Sequence, residues 1–298
     1  MRALAEFIMR GRVQATLVVA GSAALPLLFW LSAAAGCLVL LRRGSDALGV
    51  LGVGVLSALI CWHFHKDPSV LLVLLGSCGL ALVLRVGHSW NRVLLASVAI
   101  ALLCVAILGA FFSPFIDAVT QELVKVLPLI LGEAYQQLSV DQRANLASLI
   151  APLVIGSIAM MFQIFSVLCL ILGRYWQASL YNPGGFGREF RQIRIPKGPL
   201  MLLWALMFVG PVLSPQMWIM VPFCSVALVL AGLALMHGLV AQKRLANFWL
   251  VGVYVTLLPL MHLLVPLLVV MATVDSLVDF RGRLAPKDAD NGPANGEG

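Results

Sequence analysis

From Val93 to Ile116 the chain carries no Asp, Glu, Lys or Arg and is built mostly of Leu, Ile, Val, Ala and Phe. Without water, such a run can satisfy its own backbone only as an α-helix, whose N–H and C=O groups pair within the segment. Comparable apolar segments cover Val13–Leu41, Ala47–Trp62, Ser69–Leu84, Val93–Phe112, Leu146–Gly173, Leu200–Leu213, Met217–Val240 and Phe248–Val274. Several reach the ~18–20 residues that cross a hydrocarbon core. Composition agrees, since 61% of the residues are hydrophobic and only 11% charged, against roughly a quarter charged in soluble domains. The sequence predicts an all-α, polytopic transmembrane helix bundle of about eight (8–10) membrane segments. It forms one integral membrane domain over residues 1–284, followed by a polar tail over 285–298 whose Pro, Gly and charged residues read as disordered.

The count depends on two runs too long for one upright helix. Val13–Leu41 contains Pro26, and Phe248–Val274 contains Pro259 and Pro266. A proline leaves a carbonyl unpaired and bends or breaks a helix, so each run is either one kinked, tilted helix or a tight pair of short ones. The first run also follows Arg2, Arg10 and Arg12 and includes "SAAAGC", which resembles a signal peptide. It is far longer than the ~7–15 residues of a secretory apolar region, and "LVLL" then Arg42-Arg43 follow it, so it reads as an uncleaved membrane segment.

Charge sets the orientation. Arg42-Arg43, Arg85 with Arg92, the Arg174–Lys197 connection and Lys243-Arg244 hold most of the basic residues. One crossing per run between Ala47 and Val240 brings all four connections to one side, which the positive-inside rule makes cytoplasmic. The other side receives the Lys66 turn and the net acidic stretch from Ser113 to Asn145. In that stretch Phe115, Val119, Leu123, Val126, Ile130, Ala134 and Leu138 recur every three or four residues. The spacing predicts an amphipathic helix around 114–138 at the outer interface, kinked at Pro128. Ser139 to Gln142, "SVDQ", has capping-box spacing for the helix that follows. The formal charge of +7 is spread through these connections and forms no basic domain with stacking aromatics, so no nucleic acid is expected as a partner.

The densest polar text is "YNPGGFGREFRQIRIPKGP", Tyr181 to Pro199. It lacks both the lysine-serine/threonine pair of a phosphate-binding loop and the spacing of a dinucleotide fingerprint. Asn182-Pro183-Gly184-Gly185 suits a turn. Beyond it Phe186, Phe190 and Ile193 fall at i, i+4, i+7, and Arg188, Arg191 and Arg194 at i, i+3, i+6. A short helix there would set the aromatics at the headgroup boundary and the arginines among phosphates. That makes Phe186, Arg188, Phe190, Arg191 and Arg194 a candidate loop for binding membrane lipids or a membrane-protein partner.

Polar residues inside the spans are few: Gln163, His237, His262 and Asp275. Ionisable groups in hydrocarbon are costly and by default suggest function; the structural alternative is an interhelical hydrogen bond. "CWHFHKD" alternates Cys61, His63, His65 and Asp67. On a strand all four would point one way, but on a helix they scatter, so no metal site is expected. The six cysteines show no CxxC spacing and read as small apolar residues. Small residues at Ala20–Ala24, Gly54–Ala58 and Ala231–Ala234 permit close helix contact. No catalytic set appears at a defensible spacing, and no cofactor is expected.

The N-terminal apolar pair ending in "LLRRG" (Leu40–Gly44), His237 near a span end, "DSLVDFRGR" (Asp275–Arg283) and the central "YNPGGFGREFR" together resemble the YybS-like family of bacterial inner-membrane proteins. The resemblance covers about residues 5 to 284. It implies a multi-pass inner-membrane protein with a fold-level likeness to substrate-binding subunits of energy-coupling-factor transporters and to MreD-like proteins. It supplies no catalytic residues. The expectation is a non-enzymatic membrane protein that binds or transports a small or lipid-like ligand. The alternative is an envelope scaffold working through helix and loop contacts.

Overall fold

The structure, a computed structural model, describes residues 2–246 and 248–278, and every regular element among them is helical. The polar tail expected over 285–298 and the last residues of the "DSLVDFRGR" motif lie outside the described residues. The chain runs through α1 (Arg2–Arg10), α2 (Arg12–Ala23), α3 (Phe29–Arg43), α4 (Leu48–His65), α5 (Ser69–Gly87) and α6 (Trp90–Phe111). Then come α7 (Ser113–Leu131), α8 (Glu133–Gln137), α9 (Val140–Tyr181) and α10 (Gly185–Arg191). The last part holds α11 (Lys197–Trp204), a π-helical turn Ala205–Val209, α12 (Gly210–Leu213), α13 (Met220–Gln242), α14 (Phe248–Leu257) and α15 (Met261–Val278). Six helical stretches among the described residues are long and apolar enough to cross a membrane: Phe29–His65, Ser69–Gly87, Trp90–Phe111, Val140–Tyr181, Gln216–Gln242 and Met261–Val278. Lys197–Leu213 and Phe248–Leu257 are shorter apolar helices.

The first long run is a tight pair and not one kinked helix. Leu25, which precedes a proline, is extended (φ −112°, ψ 111°) and ends α2, as the clash with a following proline ring demands. The chain then turns back, because Ser32 Oγ donates to the Val19 carbonyl (2.8 Å) and Arg43 Nη2 to the Met9 carbonyl (3.3 Å). A second reversal follows at Gly44, whose φ of +63° is open to glycine at little cost. It folds α4 back so that a Leu51 methyl lies 3.2 Å from where a Cβ on Gly36 would be. The apolar stretch Phe29–His65 is thus two helices joined by a turn. The second long run also divides, into α14 and α15.

Side-chain donors mark one end of the bundle. Arg85 Nη1 donates to the carbonyls of Leu40 (3.2 Å) and Leu41 (2.7 Å), and Gln177 Nε2 also reaches Leu41 (3.3 Å). Arg174 pairs with Glu189 of α10, and Arg194 Nη2 donates to the Ser276 carbonyl (3.2 Å). The basic connections after α3, α5 and α9 therefore gather at the end where α1 and α15 also finish. At the other end Trp62 meets Phe112 with ring centroids 5.4 Å apart.

The stretch expected as an amphipathic helix around 114–138 forms α7 and α8, and α7 runs through Pro128 to Leu131. Its inner face packs on another helix, Ile116 forming a small cluster with Ile150 and Val154 of α9. Arg143 of α9 donates to the carbonyls of Tyr135 (3.2 Å) and Gln136 (2.9 Å). α7, α8 and the start of α9 thus make a helical hairpin. α9 opens with the capping box read from "SVDQ": Ser139 Oγ accepts from Gln142 N (3.2 Å) and Gln142 Oε1 from Ser139 N (2.8 Å). With 42 residues α9 is about 63 Å long, roughly twice a hydrocarbon core, so it carries this hairpin beyond the bundle.

The centre is held by close packing and one polar knot. A Cβ on Gly173 of α9 would sit 2.8 Å from the Ala34 carbonyl oxygen and 3.1 Å from the Leu38 nitrogen, so α3 and α9 touch backbone to backbone. A Cβ on Gly232 would lie 2.5 Å from the Leu268 carbonyl oxygen, which brings α13 onto α15. The small residues near Ala231 and Gly54 thus serve contacts within the chain, Gly54 receiving Val19. Gln163, fully buried on α9, donates to Ser97 Oγ of α6 (3.1 Å) and to the Phe223 carbonyl of α13 (3.1 Å).

Two outcomes follow for stability in detergent. Gly173→Leu forces α3 and α9 apart and costs about 1–3 kcal/mol or more. Gly52→Leu is silent, because nothing lies within 4 Å of a Cβ there; equal melting temperatures for the two variants would refute the close contact. Gln163→Leu loses two interhelical bonds of roughly 0.6 kcal/mol each and so lowers the melting point only slightly. A collapse of folding would show the amide to be worth far more than its bonds.

Candidate functional site

The candidate loop begins as the sequence suggests. Gly184 has a φ of +77° and starts α10 over Gly185–Arg191. The helix stops at Arg191, short of the expected turn through Ile193 and Arg194. Ile193 and Ile195 are buried in the segment beyond it, and Arg194 there ties α10 to the end of α15.

The aromatic face of α10 packs on rings of the neighbouring helices. Phe186 packs against Trp90 (5.9 Å between centroids) and Tyr175 (6.4 Å), and Phe190 lies 5.8 Å from Phe186. Tertiary contacts decide this: the periodicity identifies an apolar face but not what covers it, and the apolar bundle lies directly above α10. Arg188 stays exposed on the outer face, whereas Glu189 turns to Arg174, with Nε to Oε2 at 3.0 Å.

Phe190 also reaches His237 of α13, edge to face with centroids 5.3 Å apart, and His237 meets Tyr254 of α14 at 5.8 Å. These rings line a cleft of about 660 Å³ bounded by α9, α10, α13 and α14. Its upper wall is Leu168, Ile171, Leu230 and Leu233, and its rim at the basic end carries Arg191 and Arg244. Leu230 lies about three helical turns up α13 from Gln242, so the cleft passes from a charged mouth to a wholly apolar depth. His237 Nδ1 is 2.9 Å from the Leu233 carbonyl. A carbonyl only accepts, so Nδ1 carries the proton of this bond.

The candidate residues therefore divide. The cleft unites Phe186, Phe190 and Arg191 from the loop with His237 from the spans, while Arg188 and Arg194 stand outside it. Gln163 is committed to the polar knot, His262 is exposed at the start of α15, and Asp275 is buried near its end. The four polar residues of the spans thus build no common site. Sequence reading missed Tyr254 and Arg244 as lining residues; Arg244 reads as one basic residue after a span and Tyr254 as one aromatic inside an apolar run.

"CWHFHKD" continues α4 as a helix to His65. Cys61 and His65 share a face, with Sγ 3.7 Å from Nδ1, while His63 turns to Phe64. Asp67 Oδ1 accepts from the Ser69 N–H (2.9 Å) and hydroxyl (2.5 Å) at the start of α5. Among the described residues no group of three or more His, Cys, Asp or Glu is placed to hold a metal ion.

Comparison with family models, with curated proteins and with solved structures finds no match to this chain.

Proposed function

We propose that this multi-pass helical membrane protein is a non-enzymatic binding protein of the bacterial inner membrane, which holds a lipid-like amphiphile in the cleft between α10 and α13, with transport of that ligand as its wider role. The carrying observation is the cleft itself, apolar along its depth and basic at its mouth. An acyl chain suits the leucine wall, and an anionic head suits Arg191 and Arg244. Burying apolar ligand surface gives about 25 cal/mol per Å², and each basic residue beside an anionic headgroup contributes about 1 kcal/mol. Binding is favoured over catalysis because the described lining includes no carboxylate, thiol or serine/threonine hydroxyl beside His237, and Tyr254 meets the imidazole ring to ring. The eight apolar runs cross the membrane, and the basic end faces the cytoplasm.

Orientation is checked by cysteine labelling. Arg188→Cys reacts only after cell lysis, and Glu133→Cys reacts with impermeant reagent in intact cells. The six native cysteines are all buried. The reverse pattern would invert the protein.

Ligand binding is checked by mass spectrometry of lipids that co-purify from native membranes. Phe186→Ser with Phe190→Ser removes the aromatic wall and empties the cleft. Arg191→Gln lowers occupancy about fivefold, while Arg188→Gln, outside the cleft, leaves it unchanged. A wild-type protein that carries no lipid-like molecule but retains a protein partner would favour the scaffold role.

A further inference from the structure

α10 separates the amphiphile cleft from a second cavity of different chemistry. This cavity, about 610 Å³, lies at the same basic end and is lined by Arg42, Arg85, His88, Trp90, Arg174 and Glu189, with Gln177 beside them. The residues come from the ends of α3, α5 and α9, from the first turn of α6 and, for Glu189, from α10. Three guanidinium groups face one carboxylate, a formal excess of two positive charges (3 − 1) with His88 neutral.

The existing partners do not use up that charge. Arg174 is neutralised by Glu189, with both carboxylate oxygens engaged, and its Nη1 donates to Gln177 (2.9 Å). Among the described residues Arg85 donates through Nη1, to two carbonyls at the end of α3. Those carbonyls orient the guanidinium without cancelling its charge. Arg42 rests on the Tyr181 ring, 4.2 Å from guanidinium carbon to centroid, and makes no ion pair among the described residues. Trp90, 7% exposed, adds an aromatic wall to this charged lining.

We propose that this cavity is an anion site for a phosphate group. Guanidinium forks match phosphate oxygens bidentately and are held here in fixed positions, Arg85 by carbonyls and Arg42 by an aromatic face. The polar lining and the volume suit a phosphate ester better than a bare chain. Glu189 acts as the internal competitor, occupying Arg174 as an incoming anion would. The site is distinct from the amphiphile cleft, and its test is independent of what that cleft holds.

The full-length protein in phosphatidylcholine nanodiscs is titrated with radiolabelled inorganic phosphate and, separately, with short-chain phosphatidylglycerol. Saturable binding of at least one probe is expected. Arg42→Gln, which disturbs no backbone hydrogen bond, weakens it about five- to tenfold, and Glu189→Gln, which frees Arg174, tightens it by a similar factor. Binding of the lipid alone assigns the site to a headgroup; binding of both probes assigns it to phosphate as such. Arg85→Gln is set aside because it also uncaps α3. If neither probe binds saturably, or if both variants bind as the wild type does, the cavity is a cluster of orientation charges and the proposal fails.

Discussion

A helix that ends near hydrocarbon leaves up to four carbonyls without partners and without water to replace them. The rest of the structure is arranged around meeting that demand. Arg43 serves the Met9 carbonyl at the end of α1, Arg85 and Gln177 serve Leu40 and Leu41 at the end of α3, and Arg194 serves Ser276 at the end of α15. Near the break after α2, Ser57 donates to Ala20 and Ser32 to Val19. Most of these bonds join elements far apart in sequence. Finishing one helix therefore positions another.

The arginines consequently have two roles. In the proposed orientation their charge biases one end of the bundle towards the cytoplasm, and their N–H groups end helices that no glycine or proline motif finishes alone. Gathering them for the second purpose concentrates positive charge beneath the bundle, around α10. That short helix stands where apolar and basic surfaces meet. Its phenylalanines close the cleft beside His237, and its Glu189 offsets Arg174 on the opposite side.

Close packing supplies the remaining order. Lipid gives little hydrophobic drive for helices to associate, so contact area and backbone approach decide which faces meet. Gly173 against Ala34 and Gly232 against Leu268 let two helix pairs come nearer than any side chain would allow. The interhelical hydrogen bonds of Gln163 run at the level where α6, α9 and α13 cross, and they set register more than strength.

The helical class, the apolar runs, the capping box at Ser139 and the segregation of basic connections were all legible in the chain, because each follows from local periodicity, spacing or charge. The division of Val13–Leu41 into a hairpin was one of two readings, and only the packing of α2 against α3 chose between them. Phe186 and Phe190 were recognised as an apolar face, yet the partners of that face, Trp90, Tyr175 and His237, lie up to 96 residues away from Phe186 (186 − 90). The same limit applies to Arg42, Arg85 and Arg174, which read singly as orientation signals and acquire a shared cavity only when α3, α5 and α9 converge. A sequence specifies its local helices through backbone and side-chain preferences that act within a few turns. Sites made from the ends of several helices depend on crossing angles and close approaches, which only the assembled bundle decides.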